Sequence, residues 1–376
     1  DLIAIGYEAG GGAVLTGANN ILLGTDAGHD LTSGAGNVFI GTETGDKTDD
    51  GAGNVGIGLR ALGANCGNSN VAIGDTALAV TTSAENTAVG SGAGSSLTDV
   101  SGGVFVGQHS GLFATTASNS TFVGHSAGQG ITGAKLTGND NTAVGTNAGL
   151  LLQGAGTTNT LIGKDAGRAL TTAEQSCVVG AGAGLALTGS KNTLIGADSG
   201  NAITSGTKNT VLGRFNGDQG GLDIRTASNN IVLSDGDGNI NYSYTLADNT
   251  TKMPKVYSNT TSSAANVNIL SSGTISRSTS SRRYKNTITD ATHGLTKLLA
   301  LRPVTFKGNN DGDTVFGGLI AEEVHDAGLT EFVQYNDDNE PDALAYGNMV
   351  SLCIKAVQEL STSLDAALAR ITTLEG

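Results

Sequence analysis

The chain has 376 residues but no Trp, three Pro, three Cys and an aromatic content of only 4%. So few aromatic side chains exclude a large globular interior, and any core must be thin and aliphatic. Acidic residues outnumber basic ones by 34 to 20, and the net charge of −14 argues against nucleic acid and anionic lipid as partners. No apolar run approaches the roughly 18 residues of a membrane-spanning helix, so membrane insertion is not expected.

Cysteine and histidine show no spacing that is typical of a metal or redox site. Cys66, Cys177 and Cys353 are far apart in the sequence, which favours isolated buried thiols. His109 and His125 would lie on neighbouring turns of the repeat described below, where two imidazoles alone make a weak metal site. The sequence therefore predicts no metal site and no cofactor.

The sequence begins with Asp1 and not with Met, so we expect the N-terminus of the protein to lie upstream.

The first 217 residues repeat one short phrase thirteen times: a small polar residue, usually Asn, then two or three aliphatic residues, then Gly. Clear copies are NILLGTDAG, which starts at Asn20, and NTLIGADSG, which starts at Asn192. Successive copies are 16 to 21 residues apart, which indicates a fixed structural unit with loop insertions. The closing glycines are Gly6, Gly24, Gly41, Gly58, Gly74, Gly90, Gly107, Gly124, Gly145, Gly163, Gly180, Gly196 and Gly213.

Each aliphatic run is too short for a helix and rich enough in β-branched residues for a strand. One such strand cannot bury its apolar face, whereas strands stacked on successive turns bury one another. Of the 58 Gly, 49 precede Ile240 and can form corners, while all three Pro follow it and interrupt no ladder. The sequence predicts a mainly β fold, with a parallel β-solenoid or β-roll of about 13 turns of ~17 residues. The alternative is a disordered Gly/Ser/Thr-rich segment, which would be poor in these β-branched residues.

This repeat, from Leu2 to Gly217, resembles the heads of trimeric autotransporter adhesins and the NTAIG-type arrays of phage and large-virus tail fibres. Regularity ends near residue 230 with a last strand and a turn in which Asp235, Asp237 and Asn239 could ligate a cation. The bidentate Glu of a calcium loop is missing, which favours a solvated turn. We expect a repeat domain at 1–240 and a Ser/Thr/Asn-rich neck at 241–279.

Four motifs follow in residues 280–376: SSRRYKNTI from Ser280, LLALRPVTFK from Leu298, GGLIAEEV from Gly317 and ALAYGNMVSLCIKAVQEL from Ala343. Their order and spacing resemble the endosialidase-type intramolecular chaperone domain at the C-terminus of tail spikes and fibres. The resemblance implies a small α+β domain that joins three chains, helps the preceding β-structure to fold and, in many members, cuts itself off. The residues that carry the chaperone motifs are Arg282, Arg283, Gly318, Glu322 and Glu323.

The resemblance also implies where self-cleavage occurs. In the family, a Ser hydroxyl attacks the preceding carbonyl and a Lys five residues later acts as base. These positions are Ser280 and Lys285 here, and the bond that breaks is Thr279–Ser280. Members that cleave commonly carry Asp after the nucleophile, whereas this chain has Ser281. The alternative is an uncleaved chaperone domain in which the two arginines of this motif contact carboxylates of the third motif.

A coiled-coil helix over about 343–375 is predicted from apolar residues at alternating steps of three and four. A helix buried against a core would also be periodic, but the narrow seam and its polar flanks favour a coiled coil. That three chains assemble, giving a homotrimer, is implied only by the resemblance. The seam residues are Val350, Cys353, Val357, Leu360, Leu364, Ala367, Ile371 and Leu374.

Together these features predict a structural, trimeric fibre or spike on a virion surface. It would attach to a host-cell receptor or glycan through insertions between turns, above all Gln129–Asn141. A bacterial trimeric surface adhesin, which a membrane anchor would favour, and a glycan-degrading tailspike are the alternatives. The repeat is poor in aromatic platforms for sugars, and no turnover enzyme is expected beyond a single self-cleavage. An ice-binding solenoid would need a flat Thr array, which Val and Ile interrupt.

Overall fold

The computed structural model describes residues 1–247, 249–253, 267–269, 275–277, 281–309, 312–336 and 338–375. The chain divides into two compact units, Asp1–Thr260 and Thr261–Gly376. The first unit is a parallel β-solenoid, and the second combines short strands and helices with one long C-terminal helix. The predicted fold class is confirmed. The solenoid has fourteen turns because Ile231–Ser234 adds one more turn after the last repeat glycine.

Each turn of the solenoid contributes one strand of three or four residues, and tight turns form the remainder. The strands pair in parallel and in chain order, so that equivalent residues of successive turns lie in columns. The solenoid strands are β1 (Leu2–Ile5), β2 (Asn20–Leu23), β3 (Val38–Ile40), β4 (Val55–Ile57), β5 (Val71–Ile73), β6 (Thr87–Val89), β7 (Val104–Val106), β8 (Thr121–Val123), β9 (Thr142–Val144), β10 (Thr160–Ile162), β11 (Cys177–Val179), β12 (Thr193–Ile195), β13 (Thr210–Leu212) and, after a hairpin, β16 (Ile231–Ser234).

The core of the solenoid is filled by one inward residue of each strand together with buried residues of the turns. In the three-residue strands the middle residue points inward and is buried, whereas its two neighbours point outward and are only partly covered. Phe105 and Phe122 occupy this inner position on adjacent turns, with ring centroids 5.6 Å apart in an edge-to-face arrangement. In the second turn Leu22 of the strand and Ala27 and Leu31 after it are all fully buried. Because small and aliphatic residues fill most of this interior, a sequence with few aromatic residues suffices.

The glycine that follows each strand is required by the stacking of turns. Gly163 has a φ of +128°, and a Cβ on it would lie 2.6 Å from the carbonyl carbon and oxygen of Gly180 on the next turn. Gly145 stands in the same relation to Gly163. A side chain at this column would therefore combine a disfavoured backbone conformation with a clash against backbone.

The Asn before each strand forms a buried ladder along the solenoid. Asn192 is fully buried; its Oδ1 accepts from the backbone N–H of Asn209 at 3.0 Å, and its Nδ2 donates to the carbonyl of Gly206 at 2.9 Å. Where Ser replaces Asn the ladder continues, since Ser176 Oγ accepts from the N–H of Asn192 at 3.3 Å. The ladder thus satisfies buried backbone donors that the parallel sheet leaves unpaired.

The parallel stack ends in an antiparallel meander. A two-residue hairpin, β14 (Asp218–Gln219) and β15 (Leu222–Asp223), interrupts the last turn before β16. Strand β17 (Ile240–Thr245) then pairs antiparallel with β16, and β18 (Thr250–Lys252) pairs antiparallel with β17. The parallel part of the sheet therefore ends at β16, and β18 is the last strand of the sheet.

The second unit is a small α+β domain. Its elements are β19 (Val267–Ile269), β20 (Ile275–Arg277), a 3₁₀ turn (Arg282–Tyr284), α1 (Leu295–Leu299), β21 (Val304–Lys307), β22 (Val315–Gly318), α2 (Ala321–Asp326), a second 3₁₀ turn (Thr330–Phe332), β23 (Val333–Tyr335), β24 (Pro341–Leu344) and α3 (Val350–Glu375). The long helix begins at Val350 and not near residue 343, because Pro341–Leu344 pairs with Val333–Tyr335. Among the described residues, no helix is both long and apolar enough to span a membrane.

Candidate chaperone and assembly site

The C-terminal unit has a small core that joins its short elements to the start of the long helix. Val324 of α2 and Leu352 of α3 are both buried in this core. The members of this core are Val324, Leu329, Phe332, Val333, Met349 and Leu352, with Leu298, Leu301 and Leu319 packed against them. The core therefore fixes where α3 leaves the domain.

A tyrosine hydroxyl joins the third and fourth sequence motifs. Tyr346 Oη accepts from the backbone N–H of Leu319 at 2.7 Å and donates to the carbonyl of the same residue at 3.2 Å. A Cβ on Gly318 would lie 2.7 Å from this hydroxyl, so the glycine of the third motif makes room for it. The contact accounts for Gly318 and adds Tyr346, which the sequence interpretation did not single out.

An ion pair joins the second and third motifs. The Arg302 guanidinium binds the Glu323 carboxylate through Nη2 and Nε, and this pairing lowers the pKa of Glu323 below its ordinary value. Arg302 thus takes the carboxylate that the alternative interpretation gave to the arginines of the first motif. Glu322 is exposed and lines a shallow cleft with Phe306, Leu319 and Tyr346.

The first motif forms an exposed turn. The side chain of Ser281 caps the 3₁₀ turn by accepting from the N–H of Arg283 at 3.4 Å. The Arg283 guanidinium lies 5.7 Å from the ring centroid of Tyr284, and Arg282 and Lys285 are exposed. Thr279 and Ser280, the two sides of the predicted cleavage bond, lie outside the described residues.

Helix α3 is anchored at its start and exposed over its second half. Leu352 and Ala356 are buried, and the Glu359 carboxylate accepts from the N–H of Leu295 at 2.8 Å, which caps α1. From Leu360 to Glu375 every residue is exposed. Most helical stability in proteins comes from packing of an amphipathic face, and the second half of α3 has no such packing among the described residues.

The predicted seam forms one exposed apolar stripe on α3. All eight seam residues are exposed, and Ile354 and Leu368 widen the stripe. The a/d pattern detects the eight, but these two lie at e positions and were missed. The three cysteines differ in exposure. Cys353 is exposed and Cys177 is partly exposed, so the expectation of three buried thiols holds only for Cys66. Burial raises the pKa of the Cys66 thiol.

The sequence offered two places for a cation, the turn at Asp235 and the pair of His109 and His125. Asp235 Oδ1 accepts from the backbone N–H groups of Asp237 and Asn239, at 3.1 and 2.9 Å, which is an Asx-type turn. The rings of His109 and His125 lie 6.3 Å apart on adjacent turns. Within the described part of the chain, no group of three or more His, Cys, Asp or Glu is placed to hold a metal ion.

The long insertion between turns is smaller than its sequence suggested. Leu136 is fully buried and bridges Ala114 and Gly154 on the two neighbouring turns, so this part of Gln129–Asn141 belongs to the core. Residues 131–134 form a small loop closed by a bridge between Ile131 and Ala134, whereas the carbonyl of Lys135 already accepts from the N–H of Gly154 on the next turn at 2.9 Å. A deletion of residues 130–138 would therefore damage the solenoid, and any test of this loop must be confined to 131–134.

Residues 280–334 match the protein-family model described as the chaperone of endosialidase. The match begins at Ser280, covers the first three motifs and ends before the fourth. No curated protein and no solved structure matches the chain. The matched domain and the solenoid fold together fit a structural protein of the tail-fibre type.

Proposed function

We propose that this chain is a trimeric fibre or spike protein that attaches a virus particle to its host and that carries its own folding chaperone. The main support for the proposal is the chaperone match at residues 280–334, which lie C-terminal to a fourteen-turn solenoid in the sequence. A solenoid of this type forms by pairing each turn on the last, and parallel pairing over long loops is slow to nucleate. A C-terminal domain that gathers chains gives the solenoid a defined place to begin.

Assembly through α3 is supported by its exposure. Sixteen residues, Leu360–Glu375, are exposed among the residues that the structure describes, yet they continue the apolar stripe that starts at Val350. Coiled-coil packing of α3 with two further copies would bury this stripe and leave the polar flanks in water. The partner in this proposal is a second and third copy of the same chain, with no membrane or nucleic acid involved.

Maturation follows from the residues at the start of the matched domain. In the proposed step, Ser280 Oγ attacks the Thr279 carbonyl carbon while Lys285 takes the hydroxyl proton and passes it to the departing amine of Ser280. The peptide C–N bond breaks as an ester forms, and water then hydrolyses the ester. The products are a solenoid ending in a carboxylate at Thr279 and a separate C-terminal domain.

Intact mass under denaturing conditions tests this maturation. Freshly expressed protein should give two fragments that meet at Thr279–Ser280, and Ser280→Ala should give one species of 37.4 kDa. Ser281→Ala is the matched control because it removes the neighbouring hydroxyl and leaves the nucleophile in place. Uncut chain in all three samples would reject self-cleavage and leave the domain as a permanent part of the fibre.

Attachment is tested on the projecting loop. Deleting residues 131–134 removes the exposed loop but keeps Leu136 in the core and the bond from the N–H of Gly154 to the carbonyl of Lys135, so the solenoid should keep its thermal stability. We expect this variant to lose most of its binding to host cells. Full binding by a stably folded deletion variant would move the receptor site elsewhere, and the hairpin at Gly220 and Gly221 is the next loop to remove.

A further inference from the structure

One outward-facing column of the solenoid is aliphatic in every turn. It consists of the third residue in most strands, and consecutive members are paired in the sheet register. Ile73, Ile162 and Ile195 remain 37 to 40% exposed although they lie in the middle of the sheet. The column comprises Ile5, Leu23, Ile40, Ile57, Ile73, Val89, Val106, Val123, Val144, Ile162, Val179, Ile195, Leu212 and Leu233.

A second outward column, two residues earlier in each strand, completes an uncharged face. Its members are Ile, Val or Thr in every turn except one, where Cys177 takes the position. Neither column contains a charged side chain, although the chain carries 34 acidic and 20 basic residues. We call these two columns the outer sheet face. The second column comprises Ile3, Ile21, Val38, Val55, Val71, Thr87, Val104, Thr121, Thr142, Thr160, Cys177, Thr193, Thr210 and Ile231.

The size of the outer sheet face matches a protein interface. Fourteen strands at about 4.8 Å spacing make a strip about 62 Å long, and two columns with their side chains span about 12 Å. Its area of about 750 Å² is close to the ~800 Å² that each partner buries in a standard interface. Six members of the second column are Thr, so the continuous apolar part of the face is its aliphatic column, and an extended apolar strip on a protein surface commonly marks an interaction site.

We propose that the outer sheet face packs against the same face of other copies of this chain, with the solenoids side by side. A repeat of one turn gives every copy the same spacing of ridges and grooves, so the contact can continue along the whole length. Each copy carries a net charge of −14, so the charged parts of two copies repel each other. The outer sheet face has no charged side chain and can therefore approach the same face of another copy. The inference rests on the proposed assembly and adds that the solenoid, and not only α3, forms the interface.

Cys177 provides a native probe of this face. In the full chain with Cys353→Ser, the remaining thiols are Cys66, which is buried, and Cys177, which is partly exposed. The matched control carries Ala186→Cys with Cys177→Ser and Cys353→Ser, because Ala186 is also partly exposed and lies on the same turn outside the sheet. We expect an alkylating reagent to label Cys177 at least tenfold more slowly than the thiol introduced at residue 186.

A charged variant then opens the interface. Ile162→Lys with Ile195→Lys places two ammonium groups on the turns either side of Cys177, and both point to solvent in the single chain. Labelling of Cys177 should rise to the rate of the control while the circular dichroism of the solenoid stays unchanged. The molecular mass is measured on the same samples. A trimer in which Cys177 reacts as fast as the control overturns this inference alone, and a single-copy mass overturns the proposed assembly as well.

Discussion

In the solenoid each turn is stabilised by the turns beside it, whereas in the C-terminal unit the second half of the longest helix is exposed among the described residues. Buried ladders of Asn and close-packed Gly run through the first unit and use the same contacts at every step. The second unit combines one small apolar core with polar contacts that each occur once, such as Tyr346 with Leu319 and Arg302 with Glu323. A substitution in the solenoid therefore disturbs one of many equivalent contacts. A substitution in the C-terminal unit removes a contact that has no copy elsewhere in the unit.

The largest effect is expected from a side chain in the glycine column. Gly163→Ala forces a Cβ to within 2.6 Å of the backbone of Gly180 at a φ of +128°. Strain and overpacking together should lower the free energy of unfolding by about 4 kcal/mol. Urea denaturation measures this, with Gly133→Ala as control, since a Cβ there meets nothing within 4 Å. Equal midpoints for the two variants would show that the turns can separate without cost.

Breaking the Asn ladder should have the next largest effect. Asn192→Ala leaves the buried N–H of Asn209 without its acceptor, which should cost about 2–3 kcal/mol in denaturant unfolding. Asn192→Ser should recover at least half of this loss, because Ser176 already fills the same role one turn earlier. If Ser and Ala were equally destabilising, the ladder would depend on the amide and not on an acceptor at that position.

A smaller and separate effect is expected in the C-terminal unit. Glu359→Ala removes the carboxylate that accepts from the N–H of Leu295, and should destabilise this unit by about 1 kcal/mol. The solenoid should unfold at an unchanged denaturant concentration. Hydrogen exchange, measured separately for the two units, monitors both effects. Glu375→Ala, at the exposed end of the same helix, is the control. A loss of protection in the solenoid would contradict the separation of the two units.

The smallest effect concerns pH. The Arg60 guanidinium hydrogen-bonds Glu43 and holds the pKa of this carboxyl below its ordinary value of 4.5. A lowered folded-state pKa contributes stability above pH 4.5 that is lost as the pH falls through the lowered pKa. Glu43→Gln should therefore reduce the acid sensitivity of the thermal midpoint below pH 4.5 and slightly lower the midpoint at pH 7. An unchanged pH profile would mean that this exposed pair contributes nothing measurable.

The sequence predicted the solenoid well because its information is periodic. The recurrence of Asn and Gly at 16 to 21 residues predicts the columns directly, since stacking places equivalent residues together. In the C-terminal unit, Tyr346 and Leu319 are far apart in the sequence and no period connects them, so their contact needed the structure. The end of the insertion was misjudged because Leu136 looks like a loop residue until its two bridges are seen.

The most direct test of the central claim is the native mass of the full chain beside Leu364→Glu, which places a charge in the exposed stripe of α3. Thr362→Glu, at the exposed f position opposite the stripe, serves as control. We predict three solenoid-containing chains in the unsubstituted protein and in the control, near three times 37.4 kDa if the chain is uncut. Leu364→Glu should give single chains, because α3 must bring the chains together before their solenoids can pack. A single-copy mass for the unsubstituted chain would contradict the proposed assembly.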